Sequence, residues 1–431
     1  MFERDKSIKD SCRVQSGFAF PSSAFQNTGI PVIRMSDLKT GSLDFKTTNF
    51  VSYGWMDTAQ DFALHEGDFL LGMSGSLSNF AHVKSSDLPA LLNQRVGRLI
   101  LKDKLNANYD FICFCLKSDE YRLYAEIEGE GAAQKNISAK QIENFRYWNL
   151  PYNEQVRVAH ILSKTDVAIE KTQALIAKYE NIKQGMMQDL FTRGVDENGQ
   201  LRPSYEDSPH LYQETELGWV PKDWVTEELR YYVPRVEYGV SISCDDNAEN
   251  IPVLRMNNIF NGEFEVSDLK YAPASELSGL LLKEKDVLFN RTNSWEHVGK
   301  TAIWKNQLAK ASFASYMVRL IPDIELMIPE FLSYWLQLDD VQTAIRTFAT
   351  PGVQQVNINP TNLRRTLCSA PKDTDEQRII VSRVQAIDDK LKKEREILGK
   401  LKSQKLGLMQ DLLTGKVRVA EDMEERKEAV A

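Results

Sequence analysis

No run of eighteen or more apolar residues occurs in the 431-residue chain, so no transmembrane helix is expected. Cysteine is scarce. Cys12, Cys113, Cys115, Cys244 and Cys368 make an odd five without a CxxC pair, which argues against a disulfide framework or a zinc site. That usage suits a reducing compartment. The opening MFERDKSIKDSC carries acidic residues and no apolar core, unlike a secretory signal, so a cytoplasmic location is expected. The histidines His65, His82, His160, His210 and His297 lie at no metal-ligand spacing. GxSxG, HExxH and the FxGxG or NPPF phrases of a methyl-donor site are missing. The nearest approach to a P-loop, HVGKT at His297–Thr301, has Ser294 where GxxxxGK[ST] needs its first glycine. It reads as a turn into a strand, with Gly299 in the turn and Lys300 a candidate contact for an anionic partner. Carboxylates form no recognisable catalytic pair. The chain is therefore expected not to be an enzyme, and to hold neither metal nor cofactor.

Positive charge is also in short supply: 53 lysines and arginines against 61 acidic residues leave a net charge of −8. This weighs against a nucleic-acid partner without excluding one, because DNA needs only a local basic surface. Several acidic stretches (Asp196–Glu197, Glu206–Asp207, Glu214–Glu216 and the terminal EDMEERKEAVA) fall where linkers or tails belong. A hydrophobic share of 42% and a charged share of 26% are those of a globular chain with room for two or three domains.

What the chain does have, it has twice. GMMQDLFTRGV at 185–195 returns as GLMQDLLTGKV at 407–417, 222 positions on. Glu154-Gln155 and Glu376-Gln377 share that offset, as do Asp166 and Asp388. Upstream, IPVIRM answers IPVLRM, EGDFLLGMSGS answers EKDVLFNRTNS, VGRLI answers MVRLI, and GAAQKNI answers GVQQVNI as GxxQxNI. Matched blocks in one order, at offsets of 218 to 222, make the chain a duplication. The period is far beyond that of a solenoid repeat.

Each copy begins with an α+β globular part. GIPVIRM, DFLLGM, VGRLILK, DVLFNRT, KTAIWK and SYMVRLI read as strands, and the segments starting NYDFICFC and IPEFLSYW as helical. A long helix follows, near 153–190 and 375–413, after Pro151 and Pro371, with Asn153 and Thr374 or Asp375 as N-caps. Apolar residues from Val158 to Leu190 and from Ile380 to Leu412 step by four and three, a heptad seam broken by Thr172, Glu394, Lys183 and Lys405. The alternative is an amphipathic helix packed on its own globular part. The expected layout is a first globular domain (1–151), its helix (152–195), a connector (196–220), a second globular domain (221–371), its helix (372–419) and an acidic tail (420–431). If a pseudo-two-fold axis crosses the helix pair, the helices form an antiparallel coiled coil. At about 38 residues each spans roughly 57 Å, a ruler matched to readers about one DNA turn, roughly 34 Å, apart.

Candidate DNA contacts lie in the matched blocks. Gln134 and Asn136, with Gln354, Gln355 and Asn357, carry amides suited to adenine edges, or they tie down a turn common to both copies. Lys135, inside the first GxxQxNI, and Ser74 and Ser76, inside EGDFLLGMSGS, are further candidates. Arg34 and Arg255 are shared, which suits a phosphate contact or an internal salt bridge. Asn290, Arg291, Thr292 and Asn293 differ from Gly72, Met73, Ser74 and Gly75 inside a matched block, as base-reading residues should. Trp295 suits a core as well as a DNA surface.

EQVRVAHILSKTDVAIEKTQ, GMMQDLFTRGVDENGQLRP, ELGWVPKDW, the repeated GxxQxNI and DVLFNRTNS…VGKTAIW resemble the specificity subunit of type I restriction–modification systems, over nearly the whole chain. The resemblance implies a non-catalytic DNA-binding subunit of an adenine-DNA methyltransferase and restriction endonuclease complex. Each target-recognition domain would read half of a bipartite, asymmetric site. The helices would set the spacing and dock two methyltransferase subunits, which hold S-adenosylmethionine; translocase–nuclease subunits complete the complex. Met187, Gln188, Asp189 and Leu190, with Met409, Gln410, Asp411 and Leu412, then suit partner docking or helix-pair packing. The first copy departs from the pattern in having no GWVPKDW equivalent before Ile8, which reads as a shortened leader. The competing readings are a coiled-coil structural adaptor and a stand-alone DNA-binding regulator.

Overall fold

The computed structural model describes residues 4–129, 135–277, 279–352 and 355–419, and among them no helix is long and apolar enough to cross a membrane. The chain divides into two compact units, Met1–Ala174 with Glu396–Ala431, and Leu175–Arg395.

In the first unit the main sheet is antiparallel, with Cys12–Ser16, Val96–Leu101, Phe69–Gly72 and Phe80–His82 in that spatial order. Side chains alternate across a strand. Phe69 and Leu71 therefore enter one core cluster while Leu70 enters another, which is why the run reads as continuously apolar. A smaller sheet places Ile30–Ile33 between Asn49–Val51, antiparallel, and Leu91–Leu92, parallel. Two short helices, Tyr109–Leu116 and Asp119–Glu128, cover the main sheet's core; Ser118 separates them, its hydroxyl capping the Tyr121 amide.

The second unit repeats this order. Arg235–Tyr238, Met317–Ile321, Val287–Asn290 and Thr301–Ile303 form its antiparallel main sheet, and Ile251–Leu254 lies between Lys270–Ala272 and Ser312–Phe313. The leader strands correspond too. Lys6–Ser7 pairs with Arg146–Tyr147 as Trp224–Glu228 pairs with Leu367–Pro371.

The two long helices run Tyr152–Arg193 and Thr374–Leu412. Their starts differ from the expected caps. Asn153 lies inside the first turn, since the Glu154 and Gln155 amides bond back to the Pro151 carbonyl. In the second helix Asp373 is the cap, its carboxylate accepting the Asp375 amide at 2.9 Å. Within the second unit Glu180 meets Arg395 and Lys183 meets Asp388, so the helices run antiparallel. The helix ends belong to the globular cores. Val158, Ala159 and Leu162 share a cluster with Met409, Leu412 and Leu413. Met187, Leu190 and Phe191 share the other with Ile380, Val381 and Val384. Each of these side chains larger than Ala159 contributes about 1.5–3 kcal/mol by leaving water. Packing on the globular parts thus takes the ends of the heptad pattern.

Candidate nucleic-acid interface

Each main sheet is held from beneath by a repeated arginine. VGRLI and MVRLI place Arg98 and Arg319 under the main sheets, both nearly buried. Arg98 donates to the Ala63 and Asp61 carbonyls, to Gln15 and to Asp68 at 3.2 Å. Arg319 donates to the Leu281 carbonyl, to Asp286 at 2.5 Å and to Glu237. Beside them Gly17 and Gly239 end the first strand of each sheet. A β-carbon there would lie 2.3 Å from the Leu92 carbonyl oxygen in one copy and 2.4 Å from that of Ala314 in the other. Neither residue pair stood out as functional in the sequence, although Arg98 and Arg319 stand in the repeated VGRLI and MVRLI blocks.

Above this scaffold, one end of each main sheet gathers the matched blocks. Ile137 donates its amide to the Met73 carbonyl, and Ile358 to that of Arg291, so the closing isoleucine of GxxQxNI is tied to the strand ends in both copies. Ser74 bridges Asn136, and Thr292 pairs with Asn357, its hydroxyl 3.0 Å from the Asn357 Oδ1. Ser74 is buried, whereas Ser76, Lys135 and Asn136 are exposed. Lys135 donates to the Glu126 carbonyl. Gln355 is exposed and Asn357 half-buried, in a hairpin closed by the Gly352 amide on the Gln355 carbonyl. Gln134 and Gln354 fall outside the described residues.

The divergent quartet splits. Asn290 has no exposed surface, and its Nδ2 donates to the His297 carbonyl at 3.3 Å; in this conformation it is internal. Arg291 is half-buried, with its guanidinium carbon 5.3 Å from the Tyr238 ring centre and Nη1 3.4 Å from the Ser315 carbonyl. Thr292 and Asn293 are half-buried beside it, and Trp295 is exposed. Tyr238 and Tyr316, which the sequence did not single out, are exposed; Tyr238 lies against Arg291, and the Tyr316 carbonyl accepts the Arg291 amide. Gly299 occupies a turn at φ +91°, followed by the strand Thr301–Ile303, and Lys300 is half-buried.

The shared arginines are engaged within their own turns. Arg34 donates to the Thr47 carbonyl at 2.6 Å, and Arg255 to Asp268 at 3.1 Å. Their backbone amides are held by Asp37 and Asn258.

The helix-end phrases also divide. Met187, Leu190, Met409 and Leu412 are buried in the globular cores. Gln188 and Gln410 are exposed, while the half-buried Asp189 and Asp411 meet Arg193 and Lys416.

The strongest repeats turn out to be polar connections between helix and globular part. Buried Gln155 accepts the Asn108 amide and donates to the Asn106 and Leu150 carbonyls; Gln377 does the same with Ile328, Leu326 and Pro371. Glu154 receives Arg418 at 2.7 Å, and Glu376 receives Arg202 at 2.5 Å. Asp166 pairs with Lys405 and Asp388 with Lys183, so the duplicated acid meets the duplicated base both times. Each lysine also faces an aromatic ring, Phe114 or Tyr334.

Known proteins fit this architecture. Residues 3–181 and 239–403 match the family described as the type I restriction modification DNA specificity domain. The chain is 24% identical over 394 residues to the type I restriction enzyme EcoBI specificity subunit of Escherichia coli, covering 88% of this chain and 78% of that one. It is 24% identical over 400 residues to the MjaVIII specificity subunit of Methanocaldococcus jannaschii, covering 90% and 89%. The fold resembles the crystal structure of a type I restriction–modification S subunit from M. genitalium, with a TM-score of 0.57, 15% identity and 95% of each chain covered. With the family matched in both copies, the chain belongs to the type I restriction–modification DNA specificity family.

Proposed function

We propose that this chain is the DNA-recognition subunit of a type I restriction–modification enzyme, and that each globular half reads one part of a bipartite site. The observation that carries this reading is a repeated scaffold with unlike edges. Both copies keep the sheet order, the buried arginine and the tight glycine, yet they present different side chains at the same strand ends. The candidate contacts are Ser74, Ser76, Gln134, Lys135, Asn136 and Arg34 in the first half. In the second they are Arg255, Arg291, Thr292, Asn293, Lys300, Gln354, Gln355 and Asn357, the buried Asn290 being set aside. Gln188, Asp189, Gln410 and Asp411 are the members of the helix-end phrases offered to methyltransferase subunits, which carry the S-adenosylmethionine and the chemistry; nuclease subunits join that assembly. The domain limits at 151, 195, 220, 371 and 419 belong to the same proposal.

Coexpression with cognate methyltransferase subunits, followed by methylation-sensitive long-read sequencing, is expected to reveal adenine methylation at one bipartite motif. An assembled complex that marks no such motif would overturn the reading. Exchanging residues 1–151 for those of another specificity subunit is expected to change one half of the motif; a change in both contradicts one domain per half-site.

A further inference from the structure

The two copies carry different residues on an edge that is held alike in both. At the shared end of the main sheet, Gly97 pairs with Ser16 and Val318 with Tyr238. The Met73 amide bonds to the Arg95 carbonyl, and the Arg291 amide to that of Tyr316. Three equivalent positions therefore line one edge. In the first copy they are Ser16, Met73 and Arg95; in the second they are Tyr238, Arg291 and Tyr316. Each edge presents one arginine, but from a different strand end.

Arginines repeated in both copies do not account for unlike half-sites. Arg98 and Arg319 are buried, and Arg34 and Arg255 are tethered to their own turns. The unshared pair is placed differently. Arg95 is exposed and makes no ion pair among the described residues. Arg291 lies against the Tyr238 ring, with Nη1 on the Ser315 carbonyl at the long distance of 3.4 Å. A guanidinium suits the O6 and N7 acceptors of guanine in the major groove, and one already held against a ring loses less freedom on binding.

We propose that Arg95 and Arg291 are specificity-determining residues, each reading one guanine in its own half-site, with Tyr238 positioning Arg291. The proposal rests on the DNA-recognition reading above.

The test is the methylation motif of the assembled complex carrying Arg95→Tyr, which installs the second copy's residue, or Arg291→Met, which installs the first's. Each variant is expected to lose about 10- to 100-fold discrimination at one G·C position of one half-site and to leave the other half unchanged. Arg291→Lys keeps the charge without the planar fork, so it is expected to restore little of that discrimination, and it covers the case in which Arg291→Met unfolds. Tyr238→Leu is expected to weaken the same position as Arg291→Met and no other. The proposal fails if the motif is unchanged, if the half-site holds no G·C pair, or if methylation falls evenly across sequences with a shallower salt dependence, the mark of a phosphate contact. A wild-type complex that marks no bipartite motif counts instead against the DNA-recognition reading itself.

Discussion

In the first unit the helix Tyr109–Leu116 carries Cys115 where the second unit's Pro329–Trp335 carries Trp335, and the neighbouring strand answers with Tyr147 against Cys368. All four are buried in their core clusters. Small and large have changed places. The polar contacts have not: Gln155 and Gln377, Arg98 and Arg319, and the two Asp–Lys pairs recur with equivalent partners. The difference follows from the energetics. Apolar side chains can be exchanged at little cost while total volume is kept. A buried donor or charge has only a few acceptable partners, and losing one leaves the other unsatisfied. Drift is therefore free in the cores and barred at the polar joints.

The sharpest way to break this parallel is to remove the buried arginines. Arg319 answers two carboxylates, Asp286 and Glu237, whereas Arg98 answers one, Asp68, along with neutral oxygens. Arg319→Ala is expected to destabilise the second unit by about 3–5 kcal/mol, as an uncompensated buried charge does. Arg98→Ala should cost the first unit about 2–3 kcal/mol, as lost hydrogen bonds to a charged group do. Urea unfolding followed separately in the two units measures both; equal losses would make the carboxylate count irrelevant.

Acid should separate the units next. His82 lies across from Phe69, where the second unit has Ile303 across from Val287. Burial pushes its pKa down from 6.5 to about 4, helped by the charges of Lys117 and Lys405. The folded state thus favours the neutral ring. Its contribution is present above pH 6.5 and is lost as pH falls towards 4, on the order of 3 kcal/mol in all. Unfolding midpoints of the first unit should fall across that window, and His82→Gln should flatten the slope. An unchanged slope in the variant would assign the acid sensitivity to other groups.

The smallest contrast is a single hydroxyl. Tyr334 donates to Asp388 at 2.8 Å, while the equivalent Phe114 has no donor to offer Asp166. Tyr334→Phe is expected to cost about 1 kcal/mol, read as a shift in the denaturation midpoint of the second unit. No shift would mean that Lys183 alone satisfies the carboxylate.

Much of the architecture was legible in the chain because duplication prints each essential position twice. IPVIRM, DFLLGM and VGRLI read as strands from their apolar runs, and both long helices read from their four-three spacing. The edge proposed for recognition was half legible. Difference within a matched block singled out Arg291, Thr292 and Asn293, and the same rule proposed Asn290, which lies buried. Tyr238, Tyr316 and Arg95 escaped it because they sit on other strands, distant in sequence, and meet Arg291 or Met73 only through pairing. The helix-end phrases show the same limit. MQDL repeats as a block, yet its methionine and leucine turn inward while its glutamine faces out.

By itself, then, the sequence determined that one plan is used twice, where its helices run, and that its buried acids and amides would need partners. These are local or repeated properties, carried by periodicity and identity. Tertiary structure alone decided that Glu154 finds Arg418, that Glu376 finds Arg202, and that the duplicated aspartates and lysines exchange partners along antiparallel helices. Pairing between distant segments depends on chain direction and sheet register, and neither is written in any single stretch of residues.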